Sequence, residues 1–155
     1  MGVGETFGEA FAKAALAAGV ILPKSGRAFL SVKESDRPGV GAVGRALTDL
    51  GFKLVATRGT AKALLAAGVE TDVVNKVAEG RPHVVDMLKN EQIDLIVNTT
   101  EGGQSIADSA MIRRLALQNK VCYTTTLAGG DAFAIAIRTG AGEQVRPLQE
   151  LYVRR

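Results

Sequence analysis

Short apolar runs alternate with segments of helical period five times between Ala28 and Arg138, and this constrains the fold more than any other feature of the chain. The runs are 28–32 (Ala28-Phe29-Leu30-Ser31-Val32), 53–57, 71–75, 94–98 and 121–124. Helical segments are expected over 40–50, 60–67, 82–90, 105–120 and 127–138, with Pro82 in a first turn where a missing N–H costs nothing. Strands that alternate with helices form βαβ units, and their right-handed crossovers put helices on both faces of a parallel sheet. The expected class is therefore α/β, in three layers, with a five-stranded parallel core. Phe29-Leu30, Leu54-Val55 and Leu95-Ile96-Val97 suit strands buried on both sides.

Residues 6–18 precede this alternation as a separate helix, closed by Gly19, and Leu22-Pro23-Lys24-Ser25-Gly26 is a turn-rich linker. The helix reads either as a cap on the domain or as the tail of a preceding one. At the other end, Leu148, Leu151 and Tyr152 leave room for an edge strand.

A chain of 155 residues suits one domain. Its 46% hydrophobic and 23% charged residues exclude a disordered chain. No apolar run approaches the ~20 residues of a membrane span. A single Cys122 and a single His83 exclude an intramolecular disulfide and a structural zinc set. A reducing, cytoplasmic setting follows as the default. The 19 Lys and Arg against 16 Asp and Glu leave a charge of +3, which fits a soluble surface or an anionic ligand. With 5% aromatics, no Trp and no dense basic stripe, the composition argues against nucleic acid as a partner.

In open parallel sheets, ligands bind beyond the carboxyl ends of the strands. Those ends are polar here. Thr57-Arg58-Gly59-Thr60 enters a helix, whose N-terminus carries free N–H groups and partial positive charge. It reads as a phosphate cradle, with two hydroxyls and a glycine that permits close approach, or as a plain N-cap and turn. Arg37 and Lys76 follow strands on the same edge and would suit a phosphate dianion, or be two solvated loop cations. Asn98, Thr99 and Thr100 offer uncharged donors and acceptors, for a sugar or base edge or for turn chemistry ahead of Gly102-Gly103. Tyr123 and Thr125 close the row. His83 reads as a structural histidine, Cys122 as buried and inert, and Arg113-Arg114 as salt partners on a helix surface. The P-loop, the Gly-x-Gly-x-x-Gly fingerprint and the Gly-x-Ser-x-Gly elbow are all absent; Gly39-Val40-Gly41-Ala42-Val43-Gly44 has the wrong phasing.

Several strings resemble one family. Gly51-Phe52-Lys53-Leu54-Val55-Ala56-Thr57-Arg58-Gly59-Thr60, Asn75-Lys76-Val77-Ala78-Glu79-Gly80-Arg81-Pro82-His83 and Tyr123-Thr124-Thr125-Thr126-Leu127-Ala128-Gly129-Gly130 are similar to the C-terminal regulatory domain of the carbamoyl-phosphate synthetase large subunit. So are Gly26 to Val32, Ile96 to Thr100 and Asp108 to Arg114, so the likeness runs over nearly the whole chain. It implies a methylglyoxal-synthase-like fold over 26–155, with 1–25 as the tail of a preceding synthetase domain and a linker. On that reading Met1 is an internal residue of a larger protein.

The resemblance also implies a non-catalytic domain that binds UMP as inhibitor or IMP as activator. Thr57, Thr60 and Lys76 would hold the phosphate. Arg37 stands where relatives have Lys. Asn98 and Thr100 would face the ribose or base. Tyr123 and Thr125 match positions that help bind ornithine, in a site completed by a synthetase domain. No cofactor or metal is implied for this segment. The parent would be an oligomeric ligase that uses ATP with Mg or Mn, works with a glutaminase small subunit, and serves pyrimidine and arginine biosynthesis.

Methylglyoxal synthase itself is the rival, as a lyase acting on dihydroxyacetone phosphate. Its catalytic Asp lies in a Gly-Asp-Gln segment, where this chain has Gly80-Arg81-Pro82, so a base for proton abstraction is missing unless Glu79 or Asp86 serves. Acetylglutamate-regulated relatives carry Trp at the position of Lys76, and this chain has no Trp.

Overall fold

A computed structural model describes residues 1–76, 79–81, 83–101, 103–140, 145, 147 and 149, without the side chains of 103–105. Leu148, Leu151, Tyr152 and Pro82 lie outside the described residues.

Five strands form one parallel sheet in the order β3-β2-β1-β4-β5. They are β1 (Gly26–Ser31), β2 (Phe52–Thr57), β3 (Asp72–Val74), β4 (Leu95–Asn98) and β5 (Cys122–Thr124). The helices are α1 (Phe7–Ala17), α2 (Arg37–Asp49), α3 (Arg58–Ala66), α4 (Val84–Lys89), α5 (Gly103–Gln118) and α6 (Leu127–Thr139). All five expected strands and six expected helices are present, so the α/β reading holds.

Side chains alternate across the pleat and divide the core into two layers. Leu30, Leu54 and Val97 pack with Val40, Leu47, Leu64 and Phe133, from α2, α3 and α6. Phe29, Val55 and Ile96 point the other way, onto Val84, Leu88, Ile112 and Ala116, from α4 and α5. The helices therefore cover both faces. Gly41 and Gly44 of α2 serve packing rather than a ligand: a Cβ there would meet Ala67 Cβ or Leu64 Cδ2, each at 2.5 Å. Their absent side chains let α2 and α3 approach closely.

The opening helix is packed onto the domain. Phe11 meets Phe133 of α6 edge to face at 5.7 Å, and a Cβ on Gly8 would collide with Thr139. Thr6 caps α1 by accepting from Glu9 N–H at 3.2 Å.

Several boundaries differ from the sequence expectation. Helix α2 starts at Arg37, three residues before Val40, because Pro38 pre-sets a helical φ in its first turn. Arg37 thus belongs to a helix rather than to a strand-end loop. Helix α3 starts at Arg58, so Thr57 occupies the N-cap position and Thr60 lies inside the first turn. The plain N-cap reading of Thr60 is corrected accordingly. Helix α4 is shorter than 82–90. His83 is its N-cap residue, and the His83 backbone N–H donates to Asp86 Oδ2 at 3.2 Å.

Candidate functional site

The sheet runs outward in opposite directions from β1, through β2 to β3 on one side and through β4 to β5 on the other. The reversal leaves a crevice at the carboxyl ends of β1 and β4, the place where open α/β sheets bind ligands. A cleft of about 290 Å³ opens there. Thr57, Thr60, Lys76, Arg37 and Asn98 all line it. They reach it from four separate stretches of chain, as a shared pocket requires.

Thr57 and Thr60 form the floor, at 4% and 1% exposure. Thr60 Oγ1 accepts from Val32 N–H at 2.9 Å, which ties the turn after β1 to α3. The Thr57 hydroxyl makes no cap bond. It reaches Ser31 Oγ at 3.2 Å and Thr60 Oγ1 at 3.3 Å, with one proton for the two. The first N–H groups of α3 lie beside these hydroxyls, and the helix dipole makes the spot favourable for an anion.

Arg37 comes over this turn from α2. Its Nη1 lies 3.4 Å from Glu34 Oε1, a partly exposed contact of little strength. Its Nε is buried without a hydrogen-bond partner among the described residues. A Cβ on Gly59 would sit 2.7 Å from Arg37 Nη2, so glycine is what lets the guanidinium lie against the N-terminus of α3. Lys76 enters from the end of β3. It is exposed and joins no ion pair among the described residues. Two cations and a helix N-terminus thus share one end of the cleft.

Apart from Lys33, the lining on the side of β4 is uncharged or acidic. Asn98 ends β4, and its amide nitrogen donates to Ser109 Oγ at 3.0 Å and to Tyr123 Oη at 3.3 Å. Glu101 and Asp108 line the cleft nearby. Thr99 Oγ1 accepts from Lys33 N–H at 2.9 Å and lines the cleft, whereas its neighbour Thr100 does not. Tyr123 stands behind Asn98, outside the lining, and Thr125 is exposed beyond β5. Arg113 holds the Tyr123 ring by a cation–π contact at 5.7 Å, a partner different from the expected salt bridge.

Thr99, singled out with Asn98, lines the cleft as expected, while Ser31, Glu34, Asp108 and Ser109 are cleft residues that the sequence did not single out. Ser31 carried a signal, since it lies at the carboxyl end of β1. Asp108 and Ser109, in mid-helix, carried none.

The carboxylates that could have served as a base are placed elsewhere. Glu79 Oε2 accepts from Lys76 N–H at 3.0 Å, and Asp86 lies 3.5 Å from Arg81 Nε; neither lines the cleft. Cys122 is buried, its Sγ donates to Ile21 O at 3.1 Å, and burial pushes its pKa up to about 11. Among the described residues, no group of His, Cys, Asp and Glu could hold a metal ion, and no helix is long and apolar enough to cross a membrane.

Residues 39–125 match the family model of the MGS-like domain. Over 152 residues, 98% of this chain, the sequence is 59% identical to the carbamoyl phosphate synthase large chain of Pseudomonas syringae pv. tomato. Identity is 58% to that of Pseudomonas aeruginosa, and 46% over 154 residues to that of Rhizobium meliloti. The chain spans only 14% of the Pseudomonas proteins' length and 13% of the Rhizobium one's. Among solved structures, methylglyoxal synthase from Elizabethkingia anophelis NUHP1 superposes with a TM-score of 0.59 at 19% identity, covering 86% of this chain and 93% of that one. That likeness is one of fold.

Proposed function

The chain belongs to the MGS-like domain family, and from that premise we propose that it is the effector-binding domain of a carbamoyl phosphate synthase large chain. Its cleft takes a nucleoside monophosphate, UMP or IMP. The phosphate lies at the N-terminus of α3, with Thr57, Thr60, Lys76 and Arg37 as donors. The ribose or base extends toward Asn98, with Thr99 rather than Thr100 beside it on the lining. Tyr123 and Thr125 contribute to an ornithine site completed by other parts of the synthase. The effector acts by binding one state of the whole assembly better than another, and so biases ATP-dependent carbamoyl phosphate synthesis elsewhere.

The observation that carries this reading is the convergence of two buried hydroxyls, two cations and a helix N-terminus on one end of a single cleft. An anion there gains charge-assisted hydrogen bonds and the helix dipole together.

Calorimetric titration with UMP, IMP and inorganic phosphate tests it. Both nucleotides bind, and phosphate competes with them. Lys76→Ala weakens all three by about ten- to hundredfold, the ~1.5–3 kcal/mol of a charged hydrogen bond. Absence of heat with either nucleotide, with no dependence on Lys76, removes the reading.

A further inference from the structure

Phosphate chemistry at one end of the cleft does not account for the other wall. Asn98 is 3% exposed, so its amide is out of bulk water. A primary amide has two N–H donors. One goes to Ser109 Oγ on α5 and one to Tyr123 Oη on β5. Both hydroxyls accept through a lone pair and keep their own protons for other partners. Arg113 over the Tyr123 ring steadies the second acceptor. The Asn98 carbonyl oxygen has no hydrogen-bond partner among the described residues, and the residue lines the cleft. An acceptor on the lining that no protein donor occupies is free to take a donor from the guest.

We propose that Ser109 and Tyr123 are positioning residues that lock the Asn98 amide with its carbonyl oxygen toward the guest. The cleft then selects phosphorylated ligands that present an O–H or N–H donor at this wall. The inference rests on the reading of the cleft as a nucleoside monophosphate site. It gives Ser109 a role, and it lets Tyr123 act on this cleft through Asn98 as well as on any site beyond β5.

Inorganic phosphate is the internal control, because it fills only the cationic end. In Ser109→Ala, UMP binds about fivefold more weakly while phosphate binds as before, the scale of one neutral hydrogen bond. Tyr123→Phe shifts UMP in the same direction, and it decides alone if Ser109→Ala fails to fold. NMR gives a second readout. The two Asn98 side-chain amide protons, assigned by their loss in Asn98→Asp, are protected from solvent exchange; Ser109→Ala exposes one and Tyr123→Phe the other. Unchanged UMP affinity in both variants, or equal losses for UMP and phosphate, overturns the inference and leaves the binding reading standing. If the unmutated chain takes up neither phosphate nor UMP, the binding reading falls and the inference falls with it.

Discussion

The two walls of the cleft are built in opposite ways. One is centred on four consecutive residues, Thr57 to Thr60, at a strand-to-helix turn, and is cationic. The other gathers the uncharged side chains of Asn98, Ser109 and Tyr123 from β4, α5 and β5, over separations of 11 and 25 residues. An anion site can be local because a helix N-terminus supplies its own field and its own donors. A wall that orients an amide needs two partners held rigidly at set distances, and only packed elements from distant parts of the chain provide that.

The contrast can be broken by substitution. The largest effect is expected at Thr60, which braces the cationic wall. Thr60→Val leaves Val32 N–H buried without an acceptor, so denaturant unfolding should show about 1–3 kcal/mol lost, together with weaker phosphate binding. Unchanged stability would mean that the turn after β1 and α3 are not braced as a unit. Next is Gly59→Ala. The added Cβ displaces the flexible end of Arg37 rather than backbone, so stability should hold while phosphate affinity drops about tenfold. Equal phosphate affinity would leave Arg37 outside the anion site.

The smallest effect concerns the β5 side, which packing closes to water. The folded-state pKa of Cys122 is raised to about 11 from an ordinary value of 9.0 by burial. The stabilising contribution of the protonated thiol is fully present below pH 9 and is lost as pH rises through about 11. Native chain should therefore resist a thiol reagent at pH 9, and Cys122→Ala should flatten the alkaline fall in stability. Rapid labelling at pH 9 would show that this side is open.

Much of the architecture was legible because the signals are local. Leu95-Ile96-Val97 reads as a doubly buried strand, and Thr57 to Thr60 reads as a strand-to-helix turn, from a handful of neighbours each. Boundaries were less legible. The early start of α2 turned on Pro38, whose effect on Arg37 competes with the turn-like run Glu34-Ser35-Asp36. Asp108 and Ser109 gave no signal because a helical position does not reveal which neighbour it faces. For the same reason Arg113 read as a salt partner, although Tyr123 lies under it.

The sequence by itself determined the alternation, the parallel sheet, the two-sided burial and the strand-to-helix turn before α3. These depend on side-chain period and on short-range backbone chemistry, which a linear string carries. Only the tertiary structure decided the strand order, and with it the reversal at β1 that opens the cleft and sets β4 against β5. Which strand lies beside which is a matter of long-range packing, and so the pairing of Asn98 with Ser109 and Tyr123 has no counterpart in any short stretch of chain.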